Sequence, residues 1–167
     1  YKSLYPELSG QLLSDRLIAD AVKEYCPECS DVSVTRSEGG KPFIAVDGAE
    51  GKLFTSVSHS RDTWACVISE QNIGLDIQYH RDVNIKGITD RYYAPEERDA
   101  VSRAGAEVFF MLWARKEAFA KYTGAGLKQV MEKLSVLDRT DVVFEDSIIG
   151  EGLYCAICYR NDSYEQE

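Results

Sequence analysis

No apolar run in this 167-residue chain approaches the roughly 18 residues that a membrane-spanning helix requires, and no signal-peptide pattern opens it. A membrane protein is therefore not expected. Basic side chains are in the minority, 19 against 28 acidic ones, giving a formal net charge of −9 and an isoelectric point near 4.8. That balance repels phosphate polyanions overall, so neither nucleic acid nor an anionic membrane surface is an expected partner. One local basic pocket for a small anion remains compatible with it. Low-complexity segments and short-period repeats are also missing from the sequence. Hydrophobic residues at 44% and charged residues at 28% are ordinary globular values, which exclude a disordered or fibrous chain. A chain of this size buries roughly 70% of its unfolded surface, enough for a core without staples.

Cysteine is present in an odd number, five, and four of these form two CxxC pairs, Cys26/Cys29 and Cys155/Cys158. Two such pairs can make a zinc site. The second pair lies in a strand-like run, however, and residues three apart on a strand face opposite sides of the sheet. The first pair follows an amphipathic helix, whose dipole raises a thiol pKa at that end instead of activating it. The expectation is inert thiols in a cytoplasmic chain.

Apolar residues at helical spacing from Ser9 to Tyr25 predict a helix, with Leu13, Leu17, Ile18, Ala21, Val22 and Tyr25 on one face. Short strand-like runs separated by turn residues follow: Val32 to Thr35, Phe43 to Val46, Leu53 to Ser58, Thr63 to Ser69 and Ile73 to Gln78. The second half restarts as helix, breaks at Ala94-Pro95, and carries a strong helix from Glu107 to Thr123 that Gly124 and Gly126 stop. Strands are expected again at Leu134 to Leu137, Val142 to Phe144 and Leu153 to Tyr159. Each half thus reads as helix plus antiparallel strands, an α+β fold class, divided into residues 1–72 and 73–167.

Several segments could carry chemistry. In Ile73-Gly74-Leu75-Asp76-Ile77-Gln78 the apolar residues share one face while Gly74, Asp76 and Gln78 share the other. A mid-strand carboxylate beside a glycine that allows close approach suits a hard-cation ligand, although a half-solvated strand explains the pattern equally well. In the long helix, Phe109, Leu112, Trp113, Phe119 and Ala120 form an apolar arc, with Lys116 in its middle and Glu117 and Lys121 along its edge. An ordinary i,i+4 pair accounts for Glu117 and Lys121. It does not account for Lys116, which requires a charged partner or ligand. Ser58-His59-Ser60 lacks the G-x-S-x-G turn of a nucleophile elbow, and Gly39-Gly40-Lys41-Pro42 lacks the P-loop spacing. The first reads as a turn histidine, the second as a hairpin turn or a phosphate cradle.

Taken in order, Gly40-Lys41-Pro42, Ser56-Val57-Ser58-His59-Ser60, Ile73-Gly74-Leu75-Asp76, Arg91-Tyr92-Tyr93-Ala94-Pro95-Glu96-Glu97, Trp113-Ala114-Arg115-Lys116-Glu117-Ala118-Phe119-Ala120-Lys121 and Gly124-Ala125-Gly126-Leu127 closely resemble the 4′-phosphopantetheinyl transferases of the surfactin-synthetase-activating type. The resemblance runs from about Leu12 to Tyr159. It implies a pseudo-two-fold pair of α+β halves with coenzyme A between them, and transfer of its phosphopantetheine arm to a serine of an acyl or peptidyl carrier protein. By motif, Asp76 and Glu117 are implied as ligands of a Mg²⁺ ion, and Lys121 as the pyrophosphate-binding lysine. Glu117 or a metal-held water is implied as the base, with Asp76, Glu117 and Lys121 together forming the catalytic set. Lys41 and Pro42 are implied in the adenine and ribose pocket, and Ser58 and His59 near the nucleotide phosphates.

Two departures from the family pattern shape the expectations. Gln78 stands where a further carboxylate is frequent, and as an amide on the Asp76 face it is expected to reach the same cation. The chain reads Leu8-Ser9-Gly10-Gln11 where a basic stretch before the first long helix is usual, so the grip on coenzyme A is expected to be weaker or rebuilt from Lys2, Arg36, His59 and Arg61. A monomer is expected, because an internally duplicated cleft needs no second chain. The alternatives left open are a non-catalytic family member that binds coenzyme A or a carrier protein, and an unrelated metal-dependent hydrolase using Asp76 and Glu117.

Overall fold

The computed structural model describes residues 1–126 and 132–163. Helix α1, Gly10–Tyr25, buries Leu13, Leu17, Ile18 and Val22 against the strands that follow. Strand β1, Val32–Arg36, pairs antiparallel with β2, Pro42–Val46, and β2 with the two-residue β3, Ala49–Glu50. The β1–β2 turn is closed by Ser37 N donating to Lys41 O, and Gly40 supplies its positive φ of 82°. Strands β4, Phe54–Ser60, and β5, Thr63–Ser69, form a hairpin. Strand β6, Ile73–Tyr79, belongs to a second antiparallel sheet with β8, Leu153–Arg160, at its centre and β7, Val142–Ile149, at its far edge. Between β6 and β7 lie α2, Ile85–Tyr92, α3, Pro95–Ala104, and α4, Ala106–Thr123.

The α+β reading holds, and most boundaries fall within two residues of expectation. Pro95 opens α3, and Gly124 ends α4 in the left-handed conformation that a glycine adopts without penalty. Three expectations change. Leu134 to Leu137 is not a strand, because its backbone is held by side chains and not by a neighbouring strand. Lys116 Nζ donates to Leu134 O, and Val136 N donates to Glu97 Oε1 at 2.8 Å. Cys26 and Cys29 are joined by a disulfide; the turn that ends α1 puts their Cα atoms 5.5 Å apart, within bridging range. Strand β3 was too short to register as a periodic signal. Leu127, the last residue of the glycine motif, lies outside the described residues. Cys155 and Cys158 do diverge: Cys155 packs with Leu75, Ile77 and Leu153, and Cys158 packs on the opposite face under α4.

Burial of α4 is wider than one arc. Phe110, Ala114 and Ala118 are buried as well as the arc residues other than the half-buried Trp113, because one side of the helix lies on β6 and β8 while α3 and the 134–136 segment cover another. Lys116, only 3% exposed, finds its charged partner in Glu97, with Nζ 2.7 Å from Oε2. The Glu97 carboxylate also accepts the Ala94 amide at 2.8 Å, so one buried ion pair ties the start of α3, the middle of α4 and the 134–136 segment together.

The two strand systems meet at β4 and β6 without a backbone ladder. Three alternating serines of β4 accept the amides of alternating residues on β6: Ser56 Oγ from Leu75 N at 2.9 Å, Ser58 Oγ from Ile77 N at 3.2 Å, and Ser60 Oγ from Tyr79 N at 3.1 Å. The offset is constant, so the two strands run parallel, with hydroxyls standing where carbonyls would be. The β4-β5 hairpin and the β6-β8-β7 sheet are thus separate sheets joined by a row of hydroxyl bridges.

Candidate active site

Gly74 sets the site's geometry. A Cβ at this position would lie 2.0 Å from the Ala118 carbonyl oxygen and 2.6 Å from the Tyr122 nitrogen, so only glycine lets the backbone of α4 rest on β6. That contact delivers the flanking helical residues Glu117 and Lys121 to Asp76, two positions further along the strand. Lys121 Nζ donates to Asp76 Oδ1 at 2.8 Å and to Leu75 O at 2.9 Å. Ser58 Oγ donates to the same Oδ1 at 2.8 Å. Glu117 is half-buried, and its carboxyl is pushed above the usual range first by burial and then by the Asp76 charge, with the Lys121 ammonium opposing. Two carboxylates and one ammonium therefore share a small, partly dry volume.

Two cavities open beside this cluster, with Val57 in the lining of both. One, of about 380 Å³, is lined by Gly40, Lys41, Pro42, Ser56, Glu117 and Lys121 among others. The other, of about 470 Å³, includes Lys2, Arg36, Ser58, His59 and Trp64 in its lining. Both fall in the size range of small-molecule sites.

The structure brings Lys41, Pro42, Glu117 and Lys121 to one cleft, with Asp76 directly behind the two helical residues. His59 and Ser58 lie at the second cavity, where His59 is exposed and Ser58 is not. Lys41 spans the halves: its Nζ donates to Asn72 Oδ1 at 2.8 Å and Tyr122 O at 3.2 Å, and burial pushes its ammonium below the usual lysine range. Asn72 donates to the same Tyr122 carbonyl at 2.8 Å. Arg36 is engaged by Asp15, whose Oδ1 accepts from Nε at 2.9 Å, and by Ser14 and Gly40. Arg61 turns away, donating to His80 O and stacking on the Tyr79 ring. Gln78 donates its amide to Tyr79 O and lines a separate hollow with Arg81, Phe110 and Trp113. The sequence reading missed Asn72 and the structural work of Ser56 and Ser60; the period-two serine pattern over 56–60 was the available signal.

Among the described residues no three His, Cys, Asp or Glu side chains cluster as a metal site. The Asp76–Glu117 pair is nonetheless a donor set of the type and number that Mg²⁺ takes when phosphate oxygens complete its shell.

Comparison with known proteins agrees with this geometry. The chain is 30% identical over 135 residues to a 4′-phosphopantetheinyl transferase of Bacillus subtilis, covering 78% of this chain and 58% of the relative. It is 30% identical over 130 residues to the 4′-phosphopantetheinyl transferase Sfp of Bacillus subtilis strain 168, covering 75% and 56%. Against the 4′-phosphopantetheinyl transferase HetI of a Nostoc species it is 30% identical over 99 residues, covering 56% and 42%. The chain thus spans about half the length of the relatives it matches. The sequence pattern of the 4′-phosphopantetheinyl transferase superfamily matches residues 72–165, a stretch that takes in β6, α4 and the β7–β8 hairpin, and by that match the chain belongs to the superfamily.

Proposed function

We propose that this protein transfers the 4′-phosphopantetheine arm of coenzyme A to a serine hydroxyl of an acyl or peptidyl carrier protein, with Mg²⁺ as cofactor. The observation that supports this reading best is that Glu117 and Lys121 of α4 line one cleft with Lys41 and Pro42, while Asp76 of β6 is bonded to Lys121 behind them. Asp76 and Glu117 would hold the ion, Gln78 being turned to a separate hollow, and the ion would supply charge neutralisation of the pyrophosphate. The remaining chemistry falls to side chains. Lys121 faces the pyrophosphate and balances charge gathering on the departing nucleotide oxygen. Glu117, its carboxyl already raised by burial, accepts the proton of the carrier serine as that oxygen forms its bond to phosphorus. The bridging P–O bond breaks, and adenosine 3′,5′-bisphosphate leaves.

The nucleotide end of coenzyme A would occupy the two cavities on either side of Val57, with Lys41 and Pro42 at one and His59, Lys2 and Arg36 at the other. In this reading a single copy suffices, since both halves of the cleft come from one chain. Cytoplasmic residence belongs to the same proposal; the free thiols of Cys66, Cys155 and Cys158 fit it, and the Cys26–Cys29 disulfide counts against it. No helix among the described residues is long and apolar enough to cross a membrane. The test is intact-mass analysis of an apo carrier protein after incubation with this protein, coenzyme A and Mg²⁺. A carrier heavier by one phosphopantetheine group is expected; an unmodified carrier beside well-folded protein that binds coenzyme A would favour a non-catalytic binder.

A further inference from the structure

Resemblance to the family places Ser58 beside the nucleotide phosphates, but its hydrogen bonds point elsewhere. A serine hydroxyl has one proton to give and accepts through its lone pairs. The Ser58 proton goes to Asp76 Oδ1 at 2.8 Å, while its oxygen accepts from Ile77 N at 3.2 Å. The side chain is 6% exposed. A phosphate oxygen, which can only accept, finds no free donor there unless the bond to Asp76 is broken. We propose that Ser58 is a positioning residue: it holds the Asp76 side chain in one χ1 rotamer against β4, so that the carboxylate stays turned toward Lys121 and the cation. This rests on the transfer reading above.

The serine row supplies its own control. Ser58 and Ser60 do the same work at the seam, each taking one β6 amide, from Ile77 and Tyr79. Of the two, Ser58 is the one bonded to Asp76. Loss of seam support alone therefore affects Ser58→Ala and Ser60→Ala alike, whereas loss of carboxylate positioning affects only the first. Groups that orient a metal-ligating side chain typically contribute about 10- to 100-fold in affinity or activity.

The experiment compares Ser58→Ala, Ser58→Cys, Ser58→Thr and Ser60→Ala for transfer kinetics and thermal unfolding. Expected are a fall in kcat of about tenfold or more for Ser58→Ala with the coenzyme A KM near that of the parent, kinetics close to the parent for Ser60→Ala, and recovery in Ser58→Thr, which keeps the hydroxyl. Ser58→Cys, with a weak donor of similar size, shares the loss and replaces the alanine variant should that one fail to fold. A raised coenzyme A KM with kcat intact would make Ser58 a phosphate ligand and overturn the proposal. Equal losses in Ser58→Ala and Ser60→Ala overturn it too, leaving only a seam. A readout independent of turnover is the three-bond coupling between the Asp76 nitrogen and its carboxyl carbon in labelled protein. Expected is one fixed rotamer in the parent and in Ser60→Ala, and averaging in Ser58→Ala or Ser58→Cys. An unchanged coupling in those variants refutes the positioning role, and because it needs no activity it decides the matter even if the parent transfers nothing.

Discussion

At the scale of single residues, the proposed mechanism separates charges that do chemistry from charges that hold the protein together. Glu117 is expected to belong to the first group. Glu117→Gln keeps volume and shape in a half-buried position, so the unfolding midpoint should not fall, while transfer should drop by roughly 10²–10⁴ for a lost proton acceptor alone. Parent-like turnover in a folded Glu117→Gln protein would remove Glu117 from the mechanism. Lys116, one residue earlier, belongs to the second group. Lys116→Met strands the Glu97 carboxylate, which is 0% exposed, and should cost about 3–5 kcal/mol in urea unfolding. Adding Glu97→Gln should recover much of that, because a neutral amide oxygen can still accept one of the two amides that Glu97 serves. An undiminished midpoint in Lys116→Met would show that the pair is dispensable. Sequence alone foresaw a charged partner for Lys116, since a lysine within an apolar arc demands one. It did not name Glu97, because the partner comes from another element and nothing local encodes that distance.

At the scale of elements, α4 and β6 act as one unit, and Gly74 is the reason. Gly74→Ala drives a methyl group into helix backbone, which cannot rotate aside as a side chain can. Over-packing of this kind typically costs about 1–3 kcal/mol. The helix must lift or slide, and Glu117 and Lys121 move with it, so the expected outcome is a lower Tm together with loss of transfer. Retained activity at a lower Tm would mean that the carboxylate pair tolerates the displacement. The element boundaries were legible because alternation and turn residues are local signals: Ala94-Pro95 and Gly124 punctuate the chain where expected. The failures have physical causes of the opposite kind. The 134–137 segment is apolar and strand-like, yet its hydrogen-bond partners are the side chains of Lys116 and Glu97. Arg36, expected at coenzyme A, lines the second cavity, and what no local signal encodes is its pairing with Asp15 from α1, a contact set only once the helix lies on β1.

At the scale of the whole molecule, the hydroxyl seam divides one strand into two hydrogen-bonding regimes. On β6 the amides of Leu75, Ile77 and Tyr79 point to serine oxygens of β4, and those between them face the β8 ladder. Native-state amide exchange should therefore alternate with period two, with Leu75, Ile77 and Tyr79 exchanging sooner than Gly74, Asp76 and Gln78. Uniform rates along β6 would mean that the seam opens no more readily than the sheet. The same construction bears on how the molecule gives way under load. Each bridge is a single rotatable contact, without the paired, mutually aligned bonds of a backbone ladder. Pulled across its strands, for example by handles on β5 and β7, the protein should part first between β4 and β6. What remains would be two folded pieces, one with α1 and the other with α2, α3 and α4, tethered by residues 70–72: the molecule carries a built-in tear line that runs past Asp76.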